Sequence, residues 1–346
     1  MLFGPVPLED ALSGVAAHSV RLPDGVIKKG SRLDAERIAR LRSAGVREVV
    51  VVRLEPGDVP EDEAARRLAE AAAGENVRVE KPFTGRSNLF AQAAGVLVVD
   101  RDAIDRLNGT DEAITVATLP AWKPVEPGEM IATVKIIPFA VPERAIAAAQ
   151  SAAGAAPLIR VAAFRPLRIG VVSTLLPGLK PTVVRKTVRT LAERIAPAGA
   201  TIVRDVETPH EAAALADALA GLARSDAQLI VVFGASAITD RRDVIPAGIE
   251  EAGGVVDHFG MPVDPGNLLL LGSIAGRPVI GAPGCARSPA ENGFDWALQR
   301  LLAGLPVGRA EITRMGVGGL LMEIVQRGQP RSGDNPGHDP AEDDDS

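Results

Sequence analysis

The chain has 346 residues, 46% of them hydrophobic, which is enough for one to three domains with sizeable cores. Aromatic residues make up 3%, tyrosine is absent and the net charge is −6, which argues against a protein that stacks on nucleic-acid bases or neutralises their phosphates. A single cysteine, Cys285, excludes an intrachain disulfide framework and fits a reducing compartment. The first ten residues are not typical of a signal peptide, and no uncharged apolar run approaches the roughly 20 residues that span a bilayer, so we expect a cytoplasmic protein.

Residues 1–141 are predicted to form a small domain of mixed α+β structure. The spacing of apolar residues predicts a helix over 33–41, with Asp34 as its N-cap, and a buried strand over 46–54. A second helix is predicted over 61–73, and further strands over 77–79, 95–99 and 130–137. The polar turn 84–88 could bind an anion or cap a short helix after it, and we favour capping.

An alanine-rich connector, 142–165, leads to a regular alternation of strands and helices over 166–308. The predicted strands are 167–173, 200–206, 229–233, 255–259, 268–271 and 279–280, and the predicted helices are 181–195, 209–222, 243–252 and 290–302. This alternation is typical of a three-layer α/β domain with a mostly parallel sheet. Ligands of such sheets bind beyond the carboxyl ends of the strands, which selects the loops 174–180, 234–242 and 281–289.

The loop 234–242 combines small residues with basic ones. Small side chains let backbone N–H groups approach a ligand, and a helix N-terminus favours an anion. Ser236 adds a hydroxyl, while Arg241 and Arg242 could pair with phosphate oxygens. The alternative is an ordinary strand–helix turn with solvated arginines, in which Asp243 simply caps the helix.

The loop 281–289 has a similar construction. The run from Gly284 to Ser288 could form a second anion-binding nest with Arg287 as its counter-charge. Ser288 is predicted to cap the helix after it, with Glu291 as the capping-box partner. Cys285 is a possible nucleophile, but a lone cysteine in such a loop is more often a small packing residue.

Two other features carry no chemistry in this interpretation. The four histidines are scattered and show no metal-ligand spacing. Residues 309–327 are taken as a C-terminal extension, and the acidic, Pro- and Gly-rich segment 328–346 is predicted to be disordered.

Four segments, in order, resemble the domain shared by molybdopterin adenylyltransferases and molybdopterin molybdotransferases. RPLRIGVVST resembles the strand before the family's STGDE-type turn, and FGASAITDRRDVIP resembles its glycine-rich TGGTG…RD…TP segment. EEAGGVVDHFGMPVDPG and GAPGCARSP are similar to its later Gly–Gly…Pro–Gly run and its PGNP loop. MGVGGLLMEI, from Met315, resembles a subgroup fused to a cytidylyltransferase-type module, and the present chain ends soon after it.

The resemblance implies molybdopterin as ligand and assigns roles to the loop residues. Asp243 would be catalytic and, with Asp240, would hold Mg²⁺. The implied substrate-binding residues are Ser173, Thr174, Gly234, Ala235, Ser236, Arg241, Arg242, Pro283, Gly284, Cys285 and Ser288. Leu175 and Leu176 stand where the family has acidic residues, so metal-assisted catalysis is in question while phosphate binding is not.

Three hypotheses remain open. The first is a molybdotransferase-like enzyme that inserts molybdate into adenylated molybdopterin. The second is a non-catalytic carrier or scaffold that works with a cytidylyltransferase or a molybdoenzyme maturation partner. The third is an unrelated small-molecule enzyme on a doubly wound sheet. In each case we expect a homo-oligomer that binds neither nucleic acid nor membrane.

Overall fold

The structure, a computed structural model, describes residues 1–321. The predicted acidic segment 328–346 and residues 322–327 of the predicted extension lie outside the described residues. Among residues 1–321, no helix combines the length and apolar character needed to cross a membrane.

The N-terminal region forms a small sheet whose strand order is β1–β5–β2, together with the hairpin β3–β4. Its elements are β1 (Leu2–Pro7), β2 (Val15–Ala16), β3 (Val20–Leu22), β4 (Gly25–Ile27), α1 (Ala35–Ser43) and β5 (Glu48–Arg53). Asp34 caps α1 as predicted, because its Oδ1 accepts a hydrogen bond from Arg37 N at 2.8 Å. The cluster around Leu33, Leu41 and Val51 gives this region a core of its own.

The middle region packs α2, α3 and α4 against short antiparallel sheets. Its elements are β6 (Asp58–Pro60), α2 (Glu61–Ala72), β7 (Val77–Val79), β8 (Arg86–Ala91), β9 (Gly95–Val99), α3 (Arg101–Asn108), β10 (Ile114–Thr118), β11 (Pro124–Val125), β12 (Met130–Ile136), β13 (Ala140–Pro142), α4 (Glu143–Ala153) and β14 (Ile159–Ala163). The predicted connector 142–165 is part of this region, since Ile146, Ile159 and Val161 lie in its core. The predicted helix cap at 84–88 is wrong, because β8 begins at Arg86 and pairs with β12.

The C-terminal region is mixed α/β structure. Its elements are β15 (Arg168–Leu175), α5 (Pro181–Ile195), β16 (Thr201–Pro209), α6 (Ala212–Ala223), β17 (Leu229–Phe233), α7 (Val244–Glu251), β18 (Val255–Phe259), β19 (Leu270–Ile274), β20 (Arg277–Ala282), α8 (Gly293–Leu302) and α9 (Arg309–Thr313). Within residues 1–321 its six strands form one sheet, here called the main sheet, in the order β16–β15–β17–β20–β19–β18. The first four strands are mutually parallel, and β19 is antiparallel to both neighbours. The edge strand β16 is partly exposed along its length.

Period-two alternation divides the residues of the main sheet between two core clusters. Ile169 and Val171 share one cluster with Leu191 of α5 and with residues of α8. Val172 and Ile230 share the other with residues of α6 and α7. Successive side chains of a strand point to opposite faces, so the helices α5 and α6 pack on different faces of this sheet.

Candidate functional site

The strand order of the main sheet reverses direction at β15. The chain leaves β15 through α5 to reach β16 on one side, and then returns through α6 to β17 on the other side. Helices α5 and α6 pack into different core clusters, as this reversal requires. Open α/β sheets bind ligands beyond the carboxyl ends of strands at such a reversal, which here are the ends of β15 and β17.

A chain of hydrogen bonds links the two strand ends. The backbone N–H of Ala235 donates to Thr174 Oγ1 at 2.9 Å. Thr174 Oγ1 also lies 2.8 Å from Nδ1 of His210, whose Nε2 lies 2.8 Å from Ser236 Oγ. Thr174 is buried and Ser236 is exposed, so the chain of hydrogen bonds runs from the interior to the surface.

The hydroxyl hydrogens can be arranged in two directions along this chain. In the first, Thr174 donates to His210 Nδ1 and His210 Nε2–H donates to Ser236, which leaves the Ser236 hydroxyl hydrogen free for a ligand. In the second, Ser236 donates to His210 Nε2 and Nδ1–H donates to Thr174. Burial lowers the pKa of His210 from its usual value near 6.5, so the imidazole is neutral at pH 7 and both directions are open. An anionic ligand selects the first direction, because it needs donors.

Arg287 ties the third predicted loop to the second. Its Nη2 donates to the carbonyl oxygen of Gly234 at 2.8 Å, and its Nη1 donates to Thr187 Oγ1 on α5 at 3.1 Å. Its guanidinium also lies 5.8 Å from the ring centroid of Phe233. The basic side chain held beside the strand ends is therefore Arg287.

Gly234 is required by the close packing of its turn. A Cβ at this position would lie 2.7 Å from Ile245 Cδ1 and 2.8 Å from the carbonyl oxygen of Ser236, so something would have to shift. Of the amides of Ala235, Ser236 and Ala237, only that of Ala235 finds an acceptor within residues 1–321. The prediction that small residues expose backbone N–H groups here is consistent with this geometry.

Asp243 stabilises the loop that precedes α7. It occupies the N-cap position, but its Oδ2 accepts from the backbone N–H groups of Thr239 at 2.5 Å and Asp240 at 2.8 Å rather than from the helix. These hydrogen bonds lower the pKa of Asp243. The prediction that the Asp243 side chain caps α7 is therefore wrong, because its carboxylate closes the preceding loop instead.

Asp240 and Arg242 form an exposed pair. Oδ1 of Asp240 accepts from Nε of Arg242 at 2.7 Å and from its backbone N–H at 2.8 Å, and these bonds lower the pKa of Asp240 to about 2. Arg241 is also exposed. The structure thus places both arginines on the solvent side of the loop, where Arg242 pairs with Asp240.

The carboxylates do not form a preorganised Mg²⁺ site. Residues 1–321 contain no group of three or more His, Cys, Asp or Glu side chains placed to hold a metal ion. Hydrogen bonds within the loop already engage Asp240 and Asp243. Mg²⁺ is usually held by one or two protein carboxylates together with water and substrate phosphates, so an ion at this loop would take most of its oxygen ligands from the bound molecule.

The loop 281–289 is held from α5 by Arg194. The guanidinium donates to Asp295 Oδ1 at 2.6 Å, to Ala286 O at 2.8 Å and to Ser288 O at 2.5 Å. The prediction that Ser288 and Glu291 cap the next helix is wrong. Helix α8 begins three residues after the predicted start, with Asn292 as N-cap and Asp295 as its capping-box partner.

Cys285 lies in a short 3-10 turn, Gly284–Arg287, that follows Pro283. The thiol is half-buried, and burial raises its pKa, so it stays protonated at neutral pH. A protonated thiol is a poor nucleophile, which agrees with the interpretation of Cys285 as a packing residue. Gly284 is the exposed residue of this turn.

Ser173 does not join the hydrogen bonds made by its neighbour Thr174. It is buried, and its Oγ has no hydrogen-bond partner within the part of the chain that the structure describes. The predicted site residues brought together at the strand ends are therefore Thr174, Gly234, Ala235 and Ser236, with the turn after Pro283 joined to them through Arg287.

His210 was not predicted as a site residue. The second strand of this region was predicted to end at 206 and the next helix to begin at 209, which placed His210 inside a helix. The strand β16 continues to Pro209 and α6 begins at Ala212, so His210 lies in a fourth strand-end loop. The same carboxyl-end rule, applied to the longer strand, selects it.

Comparison with known proteins gives three results. A family model described as "Domain of unknown function (DUF8806)" matches residues 5–53. No curated protein matches the chain. Among solved structures, the chain is similar to a molybdopterin biosynthesis MoeA protein from Pyrococcus horikosii, with 16% identity, 88% of this chain and 75% of that chain covered, and a TM-score of 0.31. It is also similar to a molybdenum cofactor biosynthesis protein from Pyrococcus furiosus, with 12% identity, 88% and 66% covered, and a TM-score of 0.26. Similarity at these levels of identity and TM-score does not establish the function of this chain.

Proposed function

We propose that this protein binds the phosphate end of molybdopterin, or of its nucleotide adduct, at the reversal point of the main sheet and acts in molybdenum-cofactor metabolism. The observation that carries the proposal is the joining of the strand-end loops through Thr174, His210, Ser236 and Arg287. The ordered segments that resemble the molybdopterin-binding domain supply the ligand class.

The phosphate is expected on the Ser236 side of His210. There the Ser236 hydroxyl and the amides of Ser236 and Ala237 can donate, and Arg287 supplies positive charge nearby. His210 also lines a hollow of about 430 Å³ that does not include Ser236, and the carboxylates of Glu207 and Glu211 in its lining disfavour an anion there.

Two versions of this function differ in whether the protein turns its ligand over. A carrier that passes the pterin to a cytidylyltransferase or a molybdoenzyme maturation partner needs only the phosphate contacts. A molybdotransferase also needs a site for the metal-assisted step. Leu175 and Leu176 stand where the resembling family has acidic residues, and loop hydrogen bonds engage Asp240 and Asp243, so we favour the carrier. Assembly into a homo-oligomer remains a prediction.

Binding is tested by titrating the purified chain with molybdopterin and with its dephosphorylated form. We expect micromolar binding of the phosphorylated ligand, weakened at least about tenfold by Ser236→Ala or by loss of the phosphate. Ser43→Ala, an exposed serine of α1, is the matched control and should bind as the parent does. Equal affinity for the two ligands, or no binding at micromolar concentration, contradicts the proposal.

Turnover separates the two versions. The chain is incubated with adenylated molybdopterin, molybdate and Mg²⁺, and AMP release is followed. A carrier releases no AMP above the protein-free rate. AMP release that Asp243→Ala abolishes, with ligand binding retained, would instead establish the transferase.

A further inference from the structure

A second cavity lies at the junction of the middle and C-terminal regions, lined by different residues from the main-sheet site. It has a volume of about 560 Å³, within the range of small-molecule pockets. One wall comes from residues 120–124, ahead of and into β11, and the other from α8, α9 and residues 314–318. Its lining includes the side chains of Trp122, Trp296, Arg300, Glu291, Glu311 and Arg314.

Both tryptophans of the chain line this cavity, in a sequence with 3% aromatic residues and no tyrosine. Trp122 is partly exposed, and its backbone is in the left-handed region at φ 71°, which a bulky side chain rarely adopts. Trp296 is oriented by a hydrogen bond from its Nε1–H to Glu291 Oε1 at 2.9 Å. The cavity therefore holds both indole rings of the chain.

Arg300 places a buried cation in the same cavity. The residue is only 6% exposed, and within residues 1–321 its side chain makes no hydrogen bond or ion pair; its Nε is buried without a partner. The guanidinium lies 4.3 Å from the ring centroid of Trp122. Burial lowers the pKa of Arg300 to about 10, so the group is still charged at neutral pH.

The other charged groups of the lining have partners or water. Lys123 Nζ lies 2.6 Å from Glu129 Oε1, and Arg314 is exposed. Glu291 accepts from Trp296, and Glu311 Oε2 accepts from the backbone N–H of Gly308 at 3.0 Å. The charge of Glu311 favours the protonated form of Arg300, but the two side chains form no ion pair among residues 1–321. Buried cations in proteins are ordinarily paired directly, so Arg300 is the buried cation of this cavity that has no direct partner within those residues.

We infer that the junction cavity binds a planar aromatic small molecule that carries one carboxylate. The ring system would lie against the tryptophans, and the carboxylate would pair with the Arg300 guanidinium, whose planar fork matches it. A doubly charged group would also face Glu291 and Glu311, so a single negative charge fits better. This inference does not depend on the function proposed for the main-sheet site.

The test uses 1-naphthoate as probe, with the neutral 1-naphthalenemethanol and acetate as matched comparisons. Because both tryptophans line the cavity, the two indole N–H signals of a ¹⁵N-labelled full-length sample report on it directly. We expect saturable shifts of these signals with 1-naphthoate, with affinity at least about tenfold higher than for the alcohol and no saturation with acetate. Equal affinities for the acid and the alcohol overturn the inference, as does the absence of saturable binding of 1-naphthoate.

Variants of Arg300 locate the carboxylate. Arg300→Met should weaken 1-naphthoate at least about tenfold while leaving the alcohol unchanged, and Arg189→Met, an exposed arginine of α5, should change neither. If Arg300→Met does not fold, Arg300→Lys keeps the charge without the planar fork and should weaken the acid alone by a smaller factor. Parental affinity for 1-naphthoate in a folded Arg300 variant, with the indole shifts unchanged, overturns the assignment.

Discussion

Two buried arginines distinguish the loop edge of the main sheet from the junction cavity. At the loop edge, the Arg194 side chain is 9% exposed and has four acceptors, of which the one charged group is Asp295, whose Oδ1 lies 2.6 Å from Arg194 Nε. In the junction cavity, Arg300 has no acceptor within residues 1–321 and lies over the Trp122 ring. The first region is satisfied by the protein itself, whereas the second contains a charge that a bound molecule would satisfy. Two guanidinium groups of the C-terminal region therefore differ in role: Arg194 holds a loop in place, and Arg300 is available to a bound molecule.

The largest expected effect is the loss of Arg194. Arg194→Met leaves the Asp295 carboxylate and three carbonyl oxygens without their donor, so the free energy of unfolding should fall by about 3 kcal/mol. Urea unfolding measures this change. Arg189→Met on the same helix removes an exposed pair and should leave the midpoint unchanged. A parental midpoint for Arg194→Met would mean that the loop is held without this contact.

Thr174→Val comes next. Valine keeps the volume but leaves the Ala235 amide and His210 without the oxygen that they share, which should lower the free energy of unfolding by about 1–3 kcal/mol. Ligand affinity at the main-sheet site should fall as well, since His210 and Ser236 lose their orientation. Thr115→Val, an exposed threonine of β10, is the control. Unchanged stability and affinity would separate Thr174 from the site.

Arg300→Met should change the stability of the protein much less than Arg194→Met does. Removing a buried cation that has no direct partner within residues 1–321 offsets the loss of its contact with Trp122, so the free energy of unfolding should stay within about 1 kcal/mol of the parent. Urea unfolding beside Arg194→Met gives the contrast directly. A loss as large as that of Arg194→Met would show that Arg300 is a structural residue, and the two regions would no longer differ.

The smallest effect is a pH dependence from His210. Its folded pKa lies below the unfolded value of about 6.5, so below that pH the unfolded chain binds more protons. The contribution to stability is complete above pH 6.5 and is lost as the pH falls toward the folded pKa. His258, whose pKa burial also lowers, adds a term of the same sign. His210→Gln should reduce the slope of stability between pH 5 and 6.5, and adding His258→Gln should flatten it further.

Local pattern predicted the elements of the C-terminal region well. The bounds of α5, β17 and β18 agree with the structure, because each combines a clear apolar period with a proline or a small-residue loop at one end. The start of α8 was misplaced because two capping patterns follow one another, and Arg194, distant in sequence, holds the first of them in the loop.

The middle region was harder because its pairings are non-local. β8 pairs with β12, more than forty residues away, and no local signal at 84–88 reveals that partner. The residues of the main-sheet site were likewise predicted only where the sequence signal was local. Gly234, Ala235 and Ser236 were found from their loop, whereas His210 and the contact of Arg287 depend on how three strand ends meet.

The edge strand β16 protects the main sheet from pairing with a foreign strand. Its outer backbone groups have no partner strand within residues 1–321, which in a flat apolar strand would invite another chain to pair. Arg204, Asp205 and Glu207 place three charges on it, all exposed. Partial desolvation and the neighbouring Glu207 raise the pKa of Asp205, so its charge is lost at a higher pH than that of an ordinary surface aspartate. Mild acid should therefore remove one of the charges that keep this edge from pairing with another strand.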